Sequence, residues 1–457
     1  MTIRFLVVAW LLALGAAACD GGGGGGSDAG VDGGEDGVCD VELDWESLAP
    51  PAPGREQRDG YTVVWLSGTP LEMGRQHGEL LHDEIGWGMN ESSYVAQLVS
   101  LLPTARQLGL DEVALAQSYP QVVEECEGMV ETAGDTGWSL ELCLMVNFGD
   151  VLTEIMDNSP FSNGRREPRS APGCSQFIAA GEATASGRLV HGRLLDWSMV
   201  DFLLEYPVIF VRWPSGEIPH ATIGFPGNLS PYTGINAEGI SIGSNEADPA
   251  HHGEMDDEGH SHVQMLGRLL ASADSLESAL ALIEAEDHMS AEAFGLADGL
   301  GRAGAAVEMT AAHLGARRMS AGAVYLTNHF LAAQTQDADA DPPSSSSTLR
   351  YERLEQLLSP GGEDTRHGQI DPLVAAEILR DRINPYTHEQ VPESVFDNDG
   401  SLATNGALYA VVLDPGALRF WVAAGQTPVP PQPLIGFSLA ELLGADEWPE
   451  LDPTVIE

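Results

Sequence analysis

Between Pro172 and Trp197 the chain reads Pro-Gly-Cys-Ser-Gln-Phe-Ile-Ala-Ala, then a turn-rich 181–187, then an apolar run over 188–197. Small and apolar segments on either side of a glycine-bounded turn specify a β-hairpin with strands at 174–180 and 188–197. One thiol, Cys174, therefore opens a strand whose partner carries Arg193 and Asp196. Side chains alternate along a strand, so residues three apart face opposite sides. A bend after Arg193 is needed to bring both charges to one site.

The arrangement has a chemical logic if the Gly173–Cys174 bond is cut, because Cys174 then supplies a thiol nucleophile and an α-amino base on one residue. A free α-amino group titrates at about 7.7 to 8.0, close enough to neutrality to accept a thiol proton and return it to a leaving amine. Gly173 suits the cut, since a residue without Cβ lets the thiol approach the preceding carbonyl. The polar stretch 157–172, with Arg165, Arg166 and Arg169, would be the slack such a cut requires, or simply an exposed loop open to any protease.

Gly173-Cys174-Ser175, His191-Gly192-Arg193-Leu194-Leu195-Asp196-Trp197 and Gly234-Ile235-Asn236-Ala237-Glu238-Gly239-Ile240 resemble the acyl-coenzyme A:6-aminopenicillanic-acid acyltransferase family. Further matching pieces are Gly68-Thr69-Pro70-Leu71-Glu72-Met73-Gly74-Arg75-Gln76-His77-Gly78, Thr327-Asn328-His329 and Ser347-Thr348-Leu349-Arg350-Tyr351-Glu352-Arg353-Leu354. Their ordered co-occurrence over residues 60–425 is a far stronger signal than any one of them. The resemblance implies a self-processing N-terminal-nucleophile (Ntn) hydrolase, distantly related to conjugated-bile-salt hydrolase and penicillin V acylase. It implies an α+β chain folded as a four-layer αββα sandwich.

The family's roles carry over to matching positions. Cys174 becomes the nucleophile, with a buried structural or disulfide cysteine as the bland alternative. Arg193 and Asp196 hold its thiol and amine. Asn245 becomes the oxyanion donor, with Asn236 as rival, although Asn-Ala-Glu-Gly after a strand is also ordinary turn chemistry. Ser347 and Arg350 resemble the family's second active-site pair, and against that stands an N-capped helix with an exposed arginine. The chemistry implied is attack on a non-peptide amide through a thioester, with no cofactor and a small acyl amide as substrate. The two processed chains would stay associated. The acyl donor and acceptor remain open.

Composition excludes much else. The chain carries 69 acidic against 21 basic residues, a formal charge of −48, which argues against nucleic acid or anionic lipid as an electrostatic partner. All 21 basic residues are arginine. A chain without lysine cannot form a pyridoxal-phosphate Schiff base, a P-loop, a kinase site or a Ser-Lys dyad.

Residues 1–18 have the n-region and short apolar run of an export signal. Cleavage before Cys19 would make that residue the lipidated first position, anchoring the protein to the bacterial cell envelope; cleavage as an ordinary signal would release it to the periplasm or medium. The Gly-rich and Pro-rich stretch 19–59 reads as a tether. Folding is then expected over 60–173, the N-terminal chain after processing, and 174–457, the catalytic chain. Helices are expected at 71–88, 92–101, 111–118, 120–132, 140–156, 262–273, 275–286, 348–358 and 371–382. Strands are expected at 61–66, 206–213, 218–224, 231–236, 239–245, 293–297, 304–310 and 323–326, with a last hairpin at 408–424. Glu72 and His77 read as capping or packing residues, and Glu124-Glu125 as a solvated helix face.

Of the remaining cysteines, Cys126 and Cys143 are the nearer pair, with Cys39 the other candidate. The segment His251-His252-Gly253-Glu254-Met255-Asp256-Asp257-Glu258-Gly259-His260-Ser261-His262 fits no usual metal-ligand spacing, so no metal is assigned. Two other functional classes compete. One is a ligand-binding lipoprotein with an intact chain. The other is an unprocessed thiol hydrolase with His191 or His329 as base.

Overall fold

The hairpin that opens at Cys174 supplies two adjacent strands of the second of two stacked sheets. The computed structural model describes residues 40–149, 151–152, 173–197, 200–247, 254–339, 343–392, 400–404, 406–448 and 450–457. Residues 1–18, read above as an export signal, Cys19, the glycine run, Cys39, Arg165, Arg166, Arg169 and His251-His252 lie outside them.

The first sheet has nine strands in the order β1-β2-β5-β6-β7-β8-β9-β10-β11. They are β1 (Gly54–Arg58), β2 (Tyr61–Gly68), β5 (Val208–Pro214), β6 (His220–Gly224), β7 (Thr233–Asn236), β8 (Ile240–Glu246), β9 (Glu292–Asp298), β10 (Ala303–Met309) and β11 (Leu314–Arg318). The second has seven in the order β12-β3-β4-β13-β14-β15-β16. These are β12 (Ala323–Leu326), β3 (Ser175–Ala179), β4 (Val190–Asp196), β13 (Ala407–Asp414), β14 (Arg419–Ala424), β15 (Leu434–Ser438) and β16 (Val455–Ile456). All neighbours are antiparallel except β2 and β5.

Helices cover both outer faces. On the nine-stranded sheet lie α1 (Pro70–Leu80), α2 (His82–Glu91), α3 (Ser93–Leu108), α4 (Leu110–Gln117), α5 (Pro120–Ala133), α6 (Leu140–Asn147), the short α7 (Asp201–Glu205), α8 (His262–Ser272) and α9 (Leu276–Glu284). On the seven-stranded sheet lie α10 (Ser345–Leu358) and α11 (Pro372–Leu379). A final short helix, α12 (Leu439–Leu442), follows β15. This helix–sheet–sheet–helix order is the α+β four-layer arrangement that the resemblance implies.

Period-two burial builds the layers. In β3, Phe177 packs outward with Val190, Leu194 and Leu354, whereas Ile178 packs inward with Ala293, Ala297 and Val324. In β8, Ile240 and Ile242 pack outward beneath Leu266 and Leu269 of α8. The inward positions near Cys174 are polar or glycine: a Cβ on Gly243 would come within 2.8 Å of Arg193, and one on Gly295 within 2.2 Å of Gln176. The two sheets therefore close around polar side chains at that end, because the facing strands carry no side chain there.

Several local expectations change. The 71–88 pattern is broken at Leu81, whose backbone leaves helical geometry at φ −120° with its side chain fully buried, so α1 and α2 are separate helices. The 19–59 tether is corrected at its end: β1 pairs with β2 along the sheet edge, and its exposed Arg55, Glu56 and Gln57 are what made it read as linker. Ser275 caps α9, so the helix begins one residue later than expected. Glu72 completes a capping box with Thr69, and buried His77 accepts the Gly227 amide at 2.9 Å. Glu125 is not solvated: it is buried and pairs with Arg212 at 2.6 Å, leaving Glu124 as the exposed member. Cys126 and Cys143 form a disulfide joining α5 to α6. Among the described residues no helix is long and apolar enough to cross a membrane.

Candidate active site

Cys174 stands immediately before β3, 3% exposed, and is the free cysteine of the described residues. Its thiol donates to the Asp196 carbonyl at 3.5 Å. Burial pushes the thiol up to about 11, against the pull of the Arg193 guanidinium. The bend demanded by the Arg193–Asp196 spacing is present: Tyr409 pairs with Leu195 but Ala407 pairs with Asp196, so Leu408 is an extra residue in β13. Such a bulge twists the strands locally and re-aims the last side chain.

Asp196 is gripped on three sides. Thr404 donates its hydroxyl to the carboxylate. A Cβ on Gly173 would lie 2.6 Å from Oδ2, and one on Gly406 would lie 2.5 Å from Oδ1. Only glycine permits this approach, so the carboxylate rests against the residue that precedes the nucleophile.

Arg193, fully buried, extends from β4 across the sandwich and donates to Asn245 Oδ1 at 3.3 Å. Its Nε and Nη2 reach no acceptor among the described residues. A buried cation with spare donors favours negative charge forming nearby, here on the thiol. Asn245 Oδ1 also accepts from Gln176 at 2.8 Å, while its Nδ2 lies 3.4 Å from the Cys174 carbonyl and 3.0 Å from that of Thr327. Asn236, the rival, is spent on structure: it donates to Leu270 and Ala273 carbonyls and accepts the Glu238 and Ile240 amides.

Arg350 is not exposed. From α10 it donates to the Cys174 carbonyl, to Ser175 Oγ at 2.9 Å and to Asn328 Oδ1 at 2.8 Å. Ser347, one turn away, is directed elsewhere: it accepts the Asn328 amide at 2.7 Å and donates to Thr327 Oγ1 at 3.0 Å. It shapes the turn that presents Asn328, and no contact to Cys174 accompanies it. Glu308 anchors the same loop by accepting the Leu331 and Ala332 amides and the Thr335 hydroxyl.

The histidine bases are otherwise engaged. His191 Nε2 donates to Gln176 Oε1 and Nδ1 accepts from Ser241, each at 3.0 Å, and burial drives its pKa down to about 3. His329 Nδ1 lies 2.7 Å from Ser347 Oγ and is depressed to about 4 by burial. Gln176, Thr404 and Tyr409 are participants that sequence reasoning missed. Tyr409 bonds Thr233 at 2.9 Å, and burial raises its hydroxyl against the pull of Arg193. Gln176 did leave a signal, as a lone amide in an apolar strand.

A narrow pocket of about 20 Å³ lies beside Cys174, bounded by Trp197, Tyr232, Glu246, His262 and Glu292. No group of three His, Cys, Asp or Glu side chains fit for a metal occurs among the described residues.

Residues 204–427 match the family model of acyl-coenzyme A:6-aminopenicillanic acid acyl-transferase. Asn245, Asn328, Ser347 and Arg350 fall inside the match, with Cys174, Arg193 and Asp196 upstream. An uncharacterized protein of Archaeoglobus fulgidus is 24% identical over 275 residues, 57% of this chain. The chain spans 45% of that relative's length. Among solved structures, a Caenorhabditis elegans N-acylethanolamine-hydrolyzing acid amidase ortholog matches with TM-score 0.37 and 14% identity, over 53% of this chain and 93% of that one. Penicillin V acylase from Agrobacterium tumefaciens gives 0.34 and 15%, over 59% and 87%. A variant of conjugated bile acid hydrolase from Clostridium perfringens gives 0.37 and 12%, over 61% and 98%. Over residues 204–427 the chain is similar to the acyl-coenzyme A:6-aminopenicillanic acid acyl-transferase family, the family that the motifs around Cys174 and Asn236 resemble.

Proposed function

We propose that this chain is an exported cysteine Ntn hydrolase or acyltransferase that cuts itself between Gly173 and Cys174 and then acts on a non-peptide amide. The observation that carries the reading is the convergence on buried Cys174 from β4, β8 and α10: the Asp196 carbonyl accepts its thiol, Asn245 and Arg350 reach its carbonyl, and Arg193 donates to Asn245.

In self-processing, the Cys174 sulfur attacks the Gly173 carbonyl carbon, the C–N bond breaks and its nitrogen becomes the Cys174 amine. Water then cleaves the thioester, leaving a Gly173 carboxylate and a free thiol. Asp196, already against residue 173, is placed to hold the new α-ammonium. In turnover the α-amine takes the thiol proton and sulfur attacks the substrate carbonyl. Asn245 donates to the oxyanion, Arg193 offsets the charge, and the ammonium returns the proton to the departing amine. Water or a second amine resolves the thioester. A cut chain would hold together, since β1 and β2 share the nine-stranded sheet with β5. The signal-like residues 1–18 and the cysteine at position 19 support export and a lipid anchor.

Acid-quenched mass spectrometry of the protein turning over a panel of N-acyl amides tests the reading. The peptide beginning at Cys174 is expected to carry the acyl mass. Turnover with that peptide unmodified, and no burst of amine, would refute the thioester.

A further inference from the structure

A buried polar chain crosses the sandwich to Asn245, and the chemistry above uses only its last member. Gln176 of β3 lies opposite Arg193 of β4, with His191 two residues along on the same face. Ser241 and Asn245 of β8 meet them from the other sheet, and Ser241, His191, Gln176 and Asn245 are each 0% exposed. Two glycines leave room for the Gln176 amide: a Cβ on Gly243 would stand 2.6 Å from its Oε1, and one on Gly295 would be closer still. Polar groups this deep persist when each is satisfied, and here each contact fixes the next. Arg193 can only donate, so Asn245 turns Oδ1 toward it and Nδ2 toward the Thr327 carbonyl at 3.0 Å. Gln176 Nε2 donates to that Oδ1 at 2.8 Å, which leaves Gln176 Oε1 facing His191. His191, kept neutral by burial, therefore carries its proton on Nε2 and accepts from Ser241 at Nδ1.

Resting on the proposed role of Asn245, we infer that Gln176 is its positioning residue: with His191 and Ser241 behind it, Gln176 fixes which way the Asn245 amide faces and strengthens its donation to the oxyanion. Every bond in the chain runs the same way, from Ser241 to His191 to Gln176 to Asn245, so each polarises the next by about 10–30%. The chain ends at Asn245 Nδ2. Thr327 holds one of its hydrogens, and the other has only longer contacts, 3.4 Å each to the Cys174 and Leu326 carbonyls. That second hydrogen is the one available to a charge developing beside the thiol. A dipole already aimed there costs no reorientation when the charge forms. Gln176 acts through Asn245, since its own side-chain hydrogen bonds go to Asn245 and His191.

The test compares four variants of the full chain by kcat and KM on the fastest N-acyl amide of the panel above, counted per molecule of folded, processed protein. Gln176→Glu keeps the size of the side chain and turns its donor into an acceptor, so Asn245 loses its orientation. Its kcat is expected to fall about 100-fold with KM within about threefold of native. Gln176→Met removes the donor without reversing it and should lose less. His191→Leu should lower kcat in the same manner, and His191→Gln, which keeps an N–H for Gln176 Oε1, should recover most of that loss. A packing role would appear in melting temperature rather than in kcat per folded molecule. A variant that stays uncut is compared by its processing time course, where attack on Gly173 raises an oxyanion beside the same thiol and the same ranking is expected. Native kcat in Gln176→Glu, equal rates in His191→Gln and His191→Leu, or losses confined to KM would overturn the inference while leaving the thioester reading intact. A native protein that forms no acyl-Cys174 refutes the thioester reading, and the inference with it.

Discussion

Replacing Gly173 with alanine presses directly on Asp196. The added Cβ would stand 2.6 Å from Asp196 Oδ2, 3.1 Å from its Cγ and 3.4 Å from its Cβ. To regain an ordinary 3.4 Å contact the carboxylate must retreat by 0.8 Å (3.4 − 2.6). Retreat is blocked, because Oδ1 already sits where a Cβ on Gly406 would be, at 2.5 Å, and Thr404 holds the group from a third side. Displacing a catalytic group by about 1 Å costs on the order of 100-fold in rate. We therefore expect Gly173→Ala to slow the appearance of two chains roughly 10- to 100-fold, followed as a time course by denaturing electrophoresis after synthesis. Gly406→Ala presses the same carboxylate from the other side and should slow it comparably. The double variant should be less than additive, since both act through Asp196. Processing of Gly173→Ala at the native rate would refute the idea that the position of Asp196 limits the cut.

Four further outcomes are expected. In uncut protein the buried thiol, raised to about 11, should alkylate slowly with iodoacetamide at pH 8 and accelerate steadily as pH rises toward that value, read by mass on the Cys174 peptide. Breaking the Cys126–Cys143 bridge, whose partners are 17 residues apart, by a double serine substitution should cost about 3 kcal/mol in denaturant melts. Glu125→Ala leaves Arg212 buried without its carboxylate and should destabilise by about 3–5 kcal/mol. His77, His191 and His220 are each held neutral by burial, with pKa about 3 in the folded chain. Their folded values lie below the unfolded value of about 6.5, so their stability is complete above pH 6.5 and is lost as pH falls toward 3. Each adds a slope of about 1.36 kcal/mol per pH unit in that window. His220→Gln should flatten the acid limb by about that amount in urea melts at pH 4–6.

What was legible followed from local pattern. The glycine-bounded turn at 181–187 announced the Cys174 hairpin, and the last hairpin expected at 408–424 is β13 and β14, because turns of this kind depend on neighbouring residues alone. Motif order then supplied Cys174, Arg193, Asp196, Asn245 and Arg350, which the fold brings together. Ser347 was assigned to the same site by the same route, but it serves the loop beside it. The misses are tertiary. Glu125 looked solvated because its partner Arg212 lies 87 residues away on a strand beneath α5. Leu81 breaks a continuous helical period while staying fully buried at the turn between α1 and α2. Tyr409 reads as core until the facing strand places Thr233 at its hydroxyl. The Arg193–Asp196 geometry was anticipated as a bend, yet its cause, Leu408, sits on another strand.

The most direct test of the account is the intact mass, under denaturing conditions, of folded wild-type protein and of Cys174→Ala. Two chains from the wild type, the second beginning at Cys174, beside an uncut variant, are what the account predicts. A folded wild-type protein that remains one chain would remove the α-amino base and contradict the mechanism.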